Sequence, residues 1–131
     1  MTEETQEANN VILEKIRDSD LYGECQQEAW DILDDMQSLV ESVESLSGRL
    51  FYSRKRAEKD IHTATVYRLR LGFQYRNLQE LEARGETIPR ANPSSEFFLN
   101  EFDMYHNYFC KMLLARRAGR KAIENAGGED E

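Results

Sequence analysis

The sequence predicts an all-α fold, a bundle of about three long helices plus a short N-terminal helix. The long intervals of the chain carry apolar residues three and four positions apart, which is the period of a helix. No interval alternates apolar and polar residues as a half-buried strand does. Glycine and proline number only 7 and 2 in 131 residues, so few positions interrupt these intervals.

The first part of the chain predicts a brief helix and then a long one. The brief helix is expected over Val11 to Arg17, with Ser19 or Asp20 as the N-cap of the long helix that follows. The long helix carries one regular apolar stripe, broadened beyond two positions per heptad, which suits a multi-helix bundle better than a two-stranded coiled coil. The stripe comprises Tyr22, Cys25, Ala29, Ile32, Met36, Leu39, Val43, Leu46 and Leu50, with Leu33 and Val40 beside it. Ser47-Gly48 is expected to kink or end this helix.

Two further long helices are predicted, separated by a loop over residues 85–95. The second helix follows the basic segment 49–59, ends near Arg84 and is apolar on two sides. One side carries Ala57, Ile61, Ala64, Leu71, Tyr75 and Leu78, and the other carries Val66, Leu69 and Phe73. Pro89 and Pro93 cannot continue a helix, so Asn92 is expected to cap the last helix with Pro93 in its first position. That helix carries Phe98, Phe102, Tyr105, Phe109 and Met112 on one stripe, with Phe97, Met104 and Tyr108 beside it.

The chain is predicted to form one helical bundle domain over residues 11–122, between a flexible acidic N-terminus, 1–10, and a flexible acidic tail, 123–131. The N-terminus lacks the basic and apolar regions of a secretory signal, and no run approaches the roughly 18 apolar residues of a membrane-spanning helix. We therefore expect an intracellular protein, in the cytoplasm or nucleus, without a membrane span. Cys25 and Cys110 are expected to pack as free thiols.

The net charge of −8 conceals a strong segregation of charge along the chain. Residues 1–47 carry 13 acidic and 2 basic groups, whereas residues 48–76 carry 2 acidic and 8 basic groups. We expect the acidic first helix to lie antiparallel on the basic second helix, with carboxylates screening the cations within the same molecule or across a dimer. The expected carboxylates are Glu24, Glu28, Asp31, Asp34, Asp35 and Glu41.

No catalytic, cofactor or metal site is predicted, so we expect a protein that is not an enzyme. The chain lacks a glycine-rich phosphate loop, a G-x-S-x-G elbow, an H-E-x-x-H pair and a cysteine pair at metal-ligand spacing. Asp103 and His106 repeat half of the carboxylate-x-x-histidine spacing of di-iron bundles, but the second such pair is missing. No small-molecule substrate is evident.

An adaptor or assembly subunit that binds a protein partner or a second copy of itself is the leading hypothesis. Three helices, each apolar over a wide or double face, offer more packing surface than a three-helix fold buries internally. The interface candidates are Tyr22, Trp30, Ile32, Leu33, Met36, Leu39, Val40, Val43, Phe98, Phe102, Tyr105 and Phe109.

A small nucleic-acid-binding regulator or packaging protein is the alternative. It would use the basic segment 49–76, because clustered cations gain affinity by releasing counterions from phosphates. The candidate contacts are Arg54, Lys55, Arg56 and Lys59.

The order of these features also resembles the helical domain of the GINS subunits of DNA replication complexes, over about residues 15–115. The resemblance comprises the acidic helix from Leu21-Tyr22 to Glu44, the helix with Tyr67-Arg68-Leu69-Arg70-Leu71 near its middle, and the helix opened by Ser94-Ser95-Glu96. GINS subunits usually also carry a small β-rich domain, for which this sequence has no corresponding segment. The resemblance implies a non-enzymatic scaffold that packs helix to helix with sister subunits, and it carries over no catalytic residue.

Overall fold

The computed structural model describes residues 2–47, 52–84 and 93–129, with side chains except those of residues 15, 47 and 116–129. Three helices make up almost all of this part: α1 over Glu3–Ser47, α2 over Arg54–Ala83 and α3 over Ser95–Glu129. None of the described residues lies in a strand. The prediction of an all-α bundle is confirmed.

The helices run alternately up and down, so that α1 and α3 are parallel and α2 is antiparallel to both. On the α1–α2 side, Asp18 pairs with Arg84 at 3.1 Å and Asp35 pairs with Arg70 at 3.3 Å. On the α1–α3 side, Gln26 donates to the Pro93 carbonyl at 2.8 Å and Tyr108 donates to Glu44 at 3.3 Å. The antiparallel packing of the acidic helix on the basic one is therefore confirmed.

The core lies along the common axis of the three helices and uses one side of each. The regular stripe of α1 from Tyr22 to Val43 is buried, as the spacing predicts. The α2 side supplies Ala64, Leu71, Leu78 and Leu81, and α3 supplies Phe98, Phe102 and Phe109. The three phenylalanines are fully buried, and burying each such side chain contributes about 2 kcal/mol.

The expected short N-terminal helix is wrong as a separate element, because α1 is continuous from Glu3. Ser19 and Asp20 lie inside this helix and do not cap a new one. Neither glycine nor proline occurs before Gly23, so nothing in the local sequence forces the backbone out of the helix there. Residues 3–10, expected to precede the domain as a flexible lead, belong to the same helix.

The other helix ends agree with the sequence more closely. Helix α1 ends at Ser47, as expected, while Gly48 and Leu50 lie outside the described residues. Helix α2 begins after Ser53, whose hydroxyl accepts a hydrogen bond from the Arg56 amide at 3.1 Å. Helix α3 begins at Ser95 and not at Pro93, and the Ser94 carbonyl accepts from the Phe97 amide at 3.1 Å. The expected cap, Asn92, lies outside the described residues, and α3 continues beyond residue 122 to Glu129.

Replacing Ile32 by aspartate is expected to unfold the domain or lower its free energy of unfolding by about 4 kcal/mol or more. Ile32 is 1% exposed in the centre of α1, so the new carboxylate would be buried without a partner. Urea denaturation followed by circular dichroism measures the change. Gln37→Asp, at an exposed position of the same helix, serves as the control and should change stability by about 0.5 kcal/mol or less.

An Ile32→Asp variant with unchanged stability would show that the α1 stripe is not an interior face.

Candidate interaction surfaces

Three aromatic rings join α1 and α3 at the edge of the core. The ring centroid of Trp30 lies 5.2 Å from that of Phe98, edge to face, and 5.5 Å from that of Phe97. Phe98 is fully buried, whereas Trp30 and Phe97 are 39% and 37% exposed. The buried ring therefore holds two aromatic rings that present part of their surface to solvent.

The exposed aromatic surface continues along the outer side of α3 and is bordered by carboxylates of α1. Met104 and Tyr108 follow Phe97 at helical spacing and are 55% and 45% exposed. Asp34 and Glu41 continue the exposed line of α1 that starts at Trp30. We call this surface the acidic-aromatic face; it comprises Trp30, Asp34, Glu41, Glu44, Phe97, Glu101, Met104 and Tyr108. An apolar strip with an acidic border suits a basic, partly apolar partner.

A second exposed apolar surface lies on α2. Val66, Leu69 and Phe73 are spaced three and four apart and are 39%, 70% and 62% exposed. They lie on the opposite side of the helix from the buried residues Leu71 and Leu78. We call this surface the basic-apolar stripe; it comprises Lys55, Lys59, Val66, Leu69, Phe73 and Arg76. Glu58 and Glu80 share this side, and Glu58 is paired with Arg54 at 3.3 Å.

The first turns of α1 form a third exposed apolar region. Residues 3–17 precede Asp18, the first of the described side chains that is buried, and span about 22 Å of helix. We call this segment the N-terminal arm. Val11, Ile12, Leu13 and Ile16 are each about half exposed. Ile16 lies two heptads before Trp30, so the arm extends the side of α1 that carries the acidic-aromatic face.

A polar junction centred on Glu82 holds the three helices together at the end where α3 begins. One carboxylate oxygen of Glu82 accepts from the Tyr22 hydroxyl and the Ser95 amide, both at 2.8 Å. The other oxygen accepts from the Ser95 hydroxyl at 2.6 Å. Since Tyr22, Glu82 and Ser95 belong to α1, α2 and α3, this single carboxylate fixes the relative level of all three helices.

The protonation states of this junction follow from its geometry. Burial alone would raise the pKa of Glu82, but the hydrogen bonds from Ser95 and Tyr22 outweigh it and lower that pKa below its ordinary value of 4.5. Burial and the neighbouring carboxylate raise the pKa of Tyr22 above its ordinary value of 10.0. At neutral pH the tyrosine therefore remains a donor and the glutamate an acceptor.

The four candidate nucleic-acid contacts do not form one surface. Arg54 pairs with Glu58 one turn away, and Arg56 pairs with Asp60 at 3.3 Å. Asp60 is 4% exposed and also accepts from the Tyr52 hydroxyl at 2.8 Å, so Arg56 is a structural residue. Lys55 and Lys59 are exposed and make no ion pair within the described residues.

Screening of these four cations by α1 of the same molecule is not seen in the part of the chain that the structure describes. Both ion pairs at Arg54 and Arg56 are formed within α2, because the acidic residues 24–35 of α1 lie level with the second half of α2. Of the six carboxylates expected to screen the cations, Asp35 forms an ion pair, and it does so with Arg70.

The structure brings the predicted interface residues together, but mostly inside the chain. Ten of the twelve are buried in the core and present no surface in the folded chain: Tyr22, Ile32, Leu33, Met36, Leu39, Val40, Val43, Phe98, Phe102 and Phe109. Trp30 is exposed and Tyr105 is half-buried. Leu69, Phe73 and Met104, which are more exposed, were absent from the predicted set; their place opposite a buried stripe is the signal that could have identified them.

Within the described residues, no group of three or more His, Cys, Asp or Glu side chains is arranged to hold a metal ion. Cys25 and Cys110 are free, as expected, and burial raises the pKa of the Cys25 thiol. No helix in this part of the chain is long and apolar enough to cross a membrane.

Comparisons of the chain with protein-family models, curated proteins and solved structures found no match in any of the three.

Replacing Glu82 by glutamine is expected to flatten the loss of stability in acid. The folded-state pKa of Glu82 is lowered, so its ionised form stabilises the fold above pH 4.5, and this stability is lost as the pH falls through the folded-state value. We expect the variant to be about 1–2 kcal/mol less stable than the wild type at pH 7, with the difference narrowing towards pH 3. Urea denaturation across this pH range measures both curves.

Glu80→Gln, two residues earlier and exposed, provides the control and should follow the wild-type curve. Parallel curves for Glu82→Gln and the wild type would contradict the role of Glu82.

Proposed function

We propose that this chain is a non-enzymatic helical adaptor or assembly subunit, which binds protein through the acidic-aromatic face and the basic-apolar stripe. The observation that carries the proposal is the exposure of large apolar side chains in two continuous rows on the outside of an already complete core. Leu69 and Phe73 expose more than half of their surface on a helix whose inner side is buried. Contiguous exposed apolar patches of this kind usually mark interaction sites.

The resemblance to the GINS subunits suggests one setting for such a subunit, a DNA replication complex of helix-packed sister chains. In that setting the two faces would contact sister subunits. The proposal of an adaptor does not depend on this setting, because it rests on the exposed faces.

Aspartate at the centre of the face that binds a partner is expected to weaken that binding without unfolding the domain. Leu69→Asp and Met104→Asp place a charge at exposed positions, where the fold tolerates it but a desolvated interface does not. Immobilised wild type and variants are incubated with cell lysate, and retained proteins are quantified by mass spectrometry. We expect at least one specific partner to be retained about tenfold less by one of the two variants.

Ile61→Asp on α2 and Leu114→Asp on α3 are the matched controls, because both residues are exposed and lie outside the two faces. Equal retention by all four variants and the wild type would contradict the proposal.

A second candidate function is nucleic-acid binding along α2, which Lys55 and Lys59 favour because both are exposed and neither forms an ion pair with another described residue. Replacing both lysines by glutamine should lower affinity for DNA or RNA and reduce the salt dependence of binding by about one unit of slope per lost phosphate contact. Arg56 is left intact because it supports Asp60. A gel-shift titration at two salt concentrations measures the affinity and its salt dependence. Salt-sensitive binding that Leu69→Asp leaves unchanged would favour nucleic-acid binding over the adaptor function.

A further inference from the structure

We propose that the acidic-aromatic face binds the basic-apolar stripe of a second copy of this chain, so that copies in the same orientation lie side by side with unlike faces in contact. This inference rests on the proposed function and names the partner of both faces. The partner is a second copy because the two surfaces carry opposite charge, both expose apolar side chains, and these side chains lie at the same level along the bundle.

The two faces lie on opposite sides of the molecule. The inner side of α2 packs against both α1 and α3, so the basic-apolar stripe points away from them. The acidic-aromatic face follows the outer edge between α1 and α3, which is the side away from α2. One copy can therefore use both faces at once, each with a different neighbour.

The level of each residue along the bundle follows from the contacts between helices. Arg70 is level with Asp35, and Phe97 is level with Trp30. Because α2 runs antiparallel to α1, Phe73 is about level with Trp30 and Phe97, and Val66 is about level with Met104. A neighbour in the same orientation, displaced across the bundle, would thus place its apolar row against the exposed aromatic row.

The charges agree with the same placement. Lys59 precedes Val66 and would lie towards Glu41 and Glu44. The cation therefore meets carboxylates at the Val66 end of the apolar contact. An arrangement in which two acidic-aromatic faces meet is disfavoured, because it would juxtapose like charges at Asp34 and Glu41.

Unlike faces that meet in this way form a heterologous interface, which continues until a ring closes or until addition stops. Wild-type protein should consequently show a mass by light scattering that rises with concentration above the 15.3 kDa of one chain. Leu69→Asp lacks a working stripe and Met104→Asp lacks a working face, so each variant alone should remain monomeric.

The decisive experiment mixes the two variants. Leu69→Asp retains an intact acidic-aromatic face and Met104→Asp retains an intact basic-apolar stripe, so the mixture should form a dimer with one copy of each and nothing larger. Self-association of each variant alone should be at least about tenfold weaker than that of the wild type. Ile61→Asp and Leu114→Asp are the controls and should assemble as the wild type does. Circular dichroism verifies that every variant is folded.

A reciprocal charge exchange keeps the inference testable if an aspartate variant does not fold. Lys59→Glu alone should weaken self-association, and adding Glu41→Lys to the same chain should restore it, because the exchanged charges again attract each other.

Three results would overturn the inference. A wild type that is monomeric at every concentration removes the second copy as partner. Loss of association in Leu69→Asp but not in Met104→Asp, with no pairing on mixing, indicates a symmetric contact between α2 helices. If the basic-apolar stripe binds nucleic acid and not protein, its ligand is not a second copy. If the wild type is monomeric but partner capture depends on either face, the adaptor function remains supported. If the wild type neither self-associates nor captures a partner through either face, both proposals are wrong.

Discussion

The arrangement of the bundle depends on one carboxylate, that of Glu82, which receives hydrogen bonds from α1 and from the start of α3. Interdigitated apolar side chains resist sliding of one helix along another. Hydrogen bonds of 2.6–2.8 Å add a directional constraint on the same movement. By setting α3 level with α1, the junction brings Phe97 against Trp30, and the exposed aromatic row exists only at that level.

Charged residues have two different roles in the chain, and the distance to the nearest residue of opposite charge determines which role each has. Where α1 and α2 lie side by side, Asp18 and Asp35 pair with arginines and support the antiparallel packing. Such partly exposed pairs contribute about 1 kcal/mol or less each. At the start of α2 the cations pair within their own helix or with solvent, while Asp34 and Glu41 face outward. The acidic and basic segments of the sequence therefore form faces of different charge in the folded molecule.

The sequence predicts the buried side of each helix well, because the period of Ile32, Met36 and Val43 reports which residues share a side. It also predicts the end of α1 and the antiparallel pairing. When a helix has two apolar sides, the sequence does not show which side is buried. It therefore could not tell that Leu71 and Leu78 of α2 are buried while Leu69 and Phe73 are exposed. Nor could it find the Glu82 junction, whose partners are 60 and 13 positions away along the chain.

The balance between local attraction and net charge also constrains what such faces can build. Each copy carries a net charge of −8, so every addition to a row of copies accumulates negative charge. In the proposed contact, opposite charges would lie within a few ångströms and would be weakly screened once water is excluded, whereas repulsion between whole copies would act beyond the Debye length of about 8–10 Å and would be screened by salt. In such an assembly, complementary faces would determine which surfaces meet, and net charge would oppose long growth. Short, reversible assemblies are what this combination favours.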